Sequence, residues 1–121
     1  MTVKVTTNGW ANVYCQDTNL VKSATIANGA RFKVYGDGKS WRLCVGTSDT
    51  GSDNCYHELK FSTKKNKVTE IDVPYTKLRQ PSWGKKKPFN KANIDLFQFR
   101  RDGYEDGTAE STIKVFDFEL Y

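Results

Sequence analysis

The stretch from Arg31 to Val45 constrains the fold more than any other part of the chain. It consists of two alternating runs on either side of Gly36-Asp37-Gly38. Phe32 and Val34 share one face of the first run, and Trp41, Leu43 and Val45 share one face of the second. Period-two alternation marks strands with one buried face. Glycine reaches positive φ at little cost, so Gly-Asp-Gly is predicted to reverse the chain as a tight hairpin. The opposite faces carry Arg31, Lys33 and Tyr35, then Arg42 and Cys44. Such a surface suits a plain solvated sheet or a platform for a flat ligand.

The same grammar runs along the rest of the chain. Val3–Val5, Trp10–Cys15, Tyr56–Phe61, Val68–Val73, Ile94–Arg101 and Ile113–Tyr121 read as strands, and Leu20–Ile26 as a weaker one. Asn8-Gly9 and Asn28-Gly29 read as turns, Thr47–Asn54 as a polar loop, and Lys64–Lys67 as a basic turn. Pro74 stops its strand, and the longest irregular stretch, Tyr75–Asn93, holds Gln80-Pro-Ser-Trp-Gly84 and Lys85-Lys-Lys87. About nine strands with no helix predict an all-β fold, a two-sheet antiparallel β-sandwich of jelly-roll type. With 121 residues, the chain is expected to form one domain spanning 1–121.

No apolar run approaches the roughly 20 residues of a membrane helix. The start, Met1-Thr-Val-Lys-Val5, shows no signal peptide and runs straight into alternation, as a chain with its leader removed would. The net charge of +5 admits nucleic acid, an acidic polysaccharide or an anionic membrane as partner, alongside a merely soluble surface. Cys15, Cys44 and Cys55 are odd in number. Either Cys44 pairs with Cys55 and leaves Cys15 free, or the thiols are buried and unpaired. A single histidine, His57, and the lack of a Cys-x-x-Cys motif argue against zinc.

Catalytic patterns are wanting. There is no Gly-x-Ser-x-Gly, and His57 lies on the apolar side of its strand, where it reads as a core histidine. Glu58, Asp95, Glu105, Asp106 and Asp117 form no evident pair for glycoside hydrolysis and read as solvated acids. The chain is therefore expected not to be an enzyme. Basic clusters with aromatics on a sheet also fit a single-strand nucleic-acid binder, although lysine-rich turns equally blunt sheet edges. A carbohydrate groove fits as well, because sugar rings stack on Trp and Tyr while their hydroxyls bond to Asn, Gln and Arg. Trp10, Asn12 and Tyr14 would lie on one strand, Arg42 on another, and Gln98 and Arg100 on a third. Trp83 would wall the groove or plug an end of the sandwich, and Trp41 belongs to the core.

At Phe32–Leu43 the chain resembles the Gly-Asp-Gly unit of jelly-roll carbohydrate-binding modules from plant cell-wall-degrading systems, in the manner of families 11, 29, 30 and 65. Ile71-Asp-Val-Pro-Tyr-Thr-Lys-Leu78, Trp83-Gly84, Ile94-x-x-Phe97-x-Phe99 and Val115–Tyr121 resemble later parts of the same modules. A mitochondrial complex I assembly factor domain shares this Gly-Asp-Gly jelly roll. The carbohydrate-module resemblance implies non-catalytic binding of a β-linked plant polysaccharide (β-glucan, xyloglucan or mannan) in a concave groove. The site residues it implies are Trp10, Tyr14, Arg42, Trp83, Gln98 and Arg100. It further implies a monomeric module of a larger secreted protein, carried by a glycoside hydrolase or polysaccharide lyase, outside the cell and without a membrane partner. Such modules can hold structural calcium, but Phe116-Asp117 stands where an acidic pair is common, so no cofactor is expected. The basic surface keeps pectin as an alternative ligand, with single-stranded nucleic acid the weaker one.

Overall fold

A computed structural model describes residues 2–5, 13–15, 18–101 and 111–121, with the backbone alone for 2–5, 13–15 and 111. Among these residues the chain forms eight strands: β1 (Thr2–Val5), β2 (Val13–Cys15), β3 (Gly29–Tyr35), β4 (Ser40–Thr47), β5 (His57–Ser62), β6 (Val68–Pro74), β7 (Ile94–Arg101) and β8 (Ser111–Leu120). They build two four-stranded antiparallel sheets, ordered β1-β8-β3-β6 and β2-β7-β4-β5. The β-sandwich is as expected, with eight described strands in place of about nine. No helix among the described residues is long and apolar enough to cross a membrane.

Alternation placed the core correctly. Phe32 and Val34 from one sheet meet Trp41, Leu43, Val45, Phe97 and Phe99 from the other, all essentially inaccessible. Phe32 is the centre, edge-on to Phe61 at 5.4 Å and to Phe99 at 5.3 Å, and stacked on Phe118 at 5.8 Å. Burying each such side chain contributes about 1.5–3 kcal/mol at most.

Three local expectations change. First, Gly36-Asp37-Gly38 does not close a hairpin, because β3 and β4 belong to different sheets. It carries the chain across the sandwich. Asp37 Oδ1 accepts from the Lys39 amide at 2.9 Å and from Trp41 Nε1 at 3.2 Å. The Thr63 hydroxyl accepts from the Gly38 amide at 3.1 Å and donates to the Lys39 carbonyl at 2.7 Å. Gly38 has φ +84°, and a Cβ on Gly36 would lie 2.4 Å from Thr63 Cβ, so both glycines are required.

Second, the weak strand at 20–26 is a helix, α1 (Thr18–Ile26). Its buried stripe is Leu20 and Ala24, continued by Ala27, at helical spacing, while Ile26 is 81% exposed. Asn28-Gly29 consequently joins α1 to β3 instead of turning a hairpin.

Third, β8 carries a bulge. Arg31 faces Glu119 and Lys33 faces Phe116, so three residues of β8 oppose two of β3. Asp117 sits there at φ +51°, and the extra residue lets Val115 and Phe118 both reach the core.

Candidate functional site

The outer face of the second sheet brings several of the expected site residues together. Register places Tyr14, Gln98, Cys44 and Glu58 in one row across β2, β7, β4 and β5, and Arg100, Arg42 and Lys60 in the next. At the centre is Glu58, 9% exposed. Arg42 Nη1 donates to its Oε1 and Arg100 Nη2 to its Oε2 at 3.1 Å. The Cys44 thiol donates to Oε2 at 3.6 Å. This thiol is pushed up to about 12, chiefly by burial; Glu58 contributes to the rise, while the charges of Arg100 and Arg42 act in the opposite sense. A thiol held protonated this way is a poor nucleophile. Gln98 is only 2% exposed, and its Oε1 has no hydrogen-bond partner.

Arg42 and Arg100 therefore face a carboxylate of their own chain, and Gln98 is nearly inaccessible. Glu58, read from sequence as a solvated acid, is the hub that sequence reasoning missed. Its outward parity on β5 was visible; its burial follows from the register of β4, β5 and β7. Tyr14 is placed beside Gln98 by its backbone, and Trp10 lies outside the described residues.

Trp83 sits on a different structure, the segment 80–91. This segment is irregular yet heavily braced. Asp53 Oδ2 accepts from the Lys85 amide at 2.8 Å and its Oδ1 from the Cys55 amide at 3.1 Å, which holds the Asp53 carboxyl below its usual range. The Gln80 side chain donates to the Cys55 and Lys85 carbonyls at 2.9 and 3.0 Å and accepts from the Lys87 amide at 2.8 Å. The buried Cys55 thiol donates to the Trp83 carbonyl at 2.8 Å. Gly84 packs on Cys55 at φ +82°. Cys44 and Cys55 are both free, so the disulfide alternative falls.

His57 completes the brace as the expected core histidine. Its Nε2 lies 3.0 Å from the Lys87 carbonyl, and its ring packs against Phe89 at 5.1 Å. Donation to that carbonyl leaves Nδ1 as a buried acceptor without a partner. Burial lowers the His57 pKa, against the Lys87 hydrogen bond and the charge of Asp49, which raise it.

Between this segment and the 3-10 turn Tyr75–Lys77 lies a cavity of about 730 Å³. Tyr75, Leu78 and Phe89 give it an apolar lining; Arg79, Lys86, Lys87 and Lys91 supply its charge, and no carboxylate lines it. Tyr75 donates its hydroxyl to the Ala24 carbonyl at 2.9 Å, and burial pushes it up to about 12. Among the described residues no three His, Cys, Asp or Glu side chains form a metal-binding group.

Among the described residues, His57, the Cys44 and Cys55 thiols and Glu58 are all engaged in contacts within the β-sandwich. The family model described as Complex I intermediate-associated protein 30 (CIA30) matches residues 2–113, and the chain belongs to that family. No curated protein matches it. This finding overturns the resemblance to carbohydrate-binding modules. With it fall the plant-polysaccharide ligand, the pectin and nucleic-acid alternatives, the glycoside hydrolase or lyase partners, and the extracellular location. The Gly-Asp-Gly unit and its flanking strands report the sandwich.

Proposed function

We propose that the chain is a non-catalytic association module for intermediates in the assembly of complex I, acting at the mitochondrial site of that assembly. The observation that carries this reading is the family match over residues 2–113. The chemistry of the molecule supports it. His57 is spent on the Lys87 carbonyl, Cys44 on Glu58, and Cys55 on the Trp83 carbonyl. What is left for a partner is surface shape, exposed aromatic area and charge.

The test is genetic. Deleting the gene in the organism that encodes it should lower fully assembled complex I on native gels. A tagged copy should restore it and migrate with a partial complex but not with the finished one. Unchanged complex I after deletion, with no comigration of the tagged chain, overturns the assignment.

A further inference from the structure

We propose that the end of the molecule formed by Trp83–Lys91 docks on an anionic phospholipid surface. Lipid phosphates would meet Lys85, Lys86, Lys87 and Lys91, with Trp83 in the headgroup layer. This surface goes beyond the complex I reading and does not depend on it. It also departs from the expectation, drawn from sequence, of no membrane partner.

The first support is charge. Four cations on the two sheets face carboxylates: Arg42 and Arg100 face Glu58, Arg31 faces Glu70 and Glu119, and Lys33 faces Asp117. At this end the ammonium groups of Lys86 and Lys91 meet neutral oxygen. Lys86 Nζ donates to the Pro81 and Trp83 carbonyls, and Lys91 Nζ donates to the Ala27 carbonyl at 3.0 Å and to Asn28 Oδ1 at 3.3 Å. Lys85 and Lys87 engage through their amides, and among the described residues their ammonium groups make no ion pair. Two acids flank the segment: Asp53, whose Oδ2 accepts from the Lys85 amide at 2.8 Å, and Asp49, which accepts from Asn93 Nδ2 at 2.9 Å beyond Phe89.

The second support is the aromatic. Trp83 is 49% exposed on a loop whose backbone is fixed by Cys55, Asp53 and Gln80. Nearby, Ile26 is exposed beside Ala27, whose carbonyl holds Lys91. A rigid loop pairing an exposed indole with clustered lysines matches the headgroup layer, where Trp places its apolar body and polar edge and each lysine gains from the surface potential.

The third support is the kind of cation. The planar fork of arginine binds carboxylate and phosphate alike in paired hydrogen bonds, whereas ammonium meets phosphate as a point charge. The only guanidinium here, Arg79, spends Nη1 on the Thr76 and Leu78 carbonyls at 2.6 and 2.8 Å. What remains is ammonium groups, point charges suited to an array of phosphates.

The full chain is to be sedimented with vesicles of phosphatidylcholine alone and with vesicles containing about one-third phosphatidylglycerol. Binding should require phosphatidylglycerol and weaken with salt. The double variant Lys85→Gln/Lys87→Gln should lose about 25-fold in affinity, roughly five-fold per lysine. Neither ammonium braces the loop, so its unfolding midpoint should match that of the unaltered chain. Trp83→Ser should bind more weakly and lose the blue shift of tryptophan emission seen on anionic vesicles. Equal binding to both vesicle types, or unchanged binding by the lysine variant, overturns the proposal. Complete displacement by inorganic phosphate would show a free-anion site instead. Binding to soluble polyglutamate as tight as to anionic vesicles would show a site for acidic protein. Either result also overturns it.

Discussion

The Glu58 face and the Trp83 end use the same kinds of residue to opposite effect. On the outer face of the second sheet, two guanidiniums, a thiol and a glutamate converge and satisfy one another. At the other site the brace is built from backbone carbonyls and amides, the Gln80 side chain and the Asp53 carboxylate, and the ammonium groups of Lys86 and Lys91 meet neutral oxygen. Cations that converge on one carboxylate hold strands in register and offer less to a partner. Lysines that outnumber the one carboxylate bracing their loop keep more of their field available for one. Counting basic residues in the sequence cannot separate the two; the location of the carboxylates does.

The largest effect should come from breaking the hub. Glu58→Gln removes the carboxylate shared by Arg42 and Arg100, which stand side by side and partly buried. Removing one partner of such a group should cost about 3 kcal/mol, read as a lower urea midpoint at unchanged slope. A loss under about 0.5 kcal/mol, the range of ordinary surface substitutions, would mean that the hub is solvated after all.

The loop should break differently. Alanine at Gly84 would hold a residue with a side chain at φ +82° and put its Cβ 2.7 Å from Cys55 Cβ and Sγ. We expect a cost of about 2 kcal/mol, confined largely to the segment 80–91. The Cys55 thiol, buried in the native loop, should then react with a thiol reagent while the sandwich stays folded. Global unfolding coincident with Cys55 labelling would show that the loop and sandwich form one cooperative unit.

Much of the sandwich was legible because alternation is local. The inward sets Phe32/Val34, Trp41/Leu43/Val45 and Phe97/Phe99 follow from parity alone, as do the outward positions of Arg42, Glu58 and Arg100. Parity does not tell which sheet a strand joins. Gly36-Asp37-Gly38 has the same local pattern whether it closes a hairpin or crosses between sheets. Leu20, Ala24 and Ile26 fall on alternate positions, which hid the helical stripe formed by Leu20, Ala24 and Ala27. The site was less legible still. Arg42 and Arg100 were assigned to one groove on separate strands, as candidate ligand contacts, because the carboxylate between them comes from a third strand. Trp83 stayed between a groove wall and a plug at one end of the sandwich, because the residues that fix its loop, Asp53, Cys55 and Gln80, lie 25 to 32 positions from their partners. Function was hardest to read, since the most distinctive motif reports the fold.

The smallest effect tests the hub by pH. The Cys44 thiol ordinarily titrates near 9.0 and is pushed up to about 12 in the fold. The folded chain therefore holds this proton more tightly than the unfolded chain does. Its stabilisation is complete below pH 9 and is lost as pH rises from 9 toward 12. Once the unfolded thiol has ionised, stability should fall by about 1.4 kcal/mol per pH unit on its account. Tyr75, raised from 10.0 to about 12, acts in the same sense but begins later, so the window just above pH 9 isolates the cysteine. Cys44→Ala should flatten the slope in that window whatever its effect on absolute stability. Glu58→Gln should also flatten it, because Glu58 raises the thiol while Arg100 and Arg42 act against it, and removing the glutamate leaves the arginines unopposed. An unchanged slope in Glu58→Gln would mean that burial alone holds the thiol protonated, and the hub would reduce to two ion pairs beside an apolar cysteine.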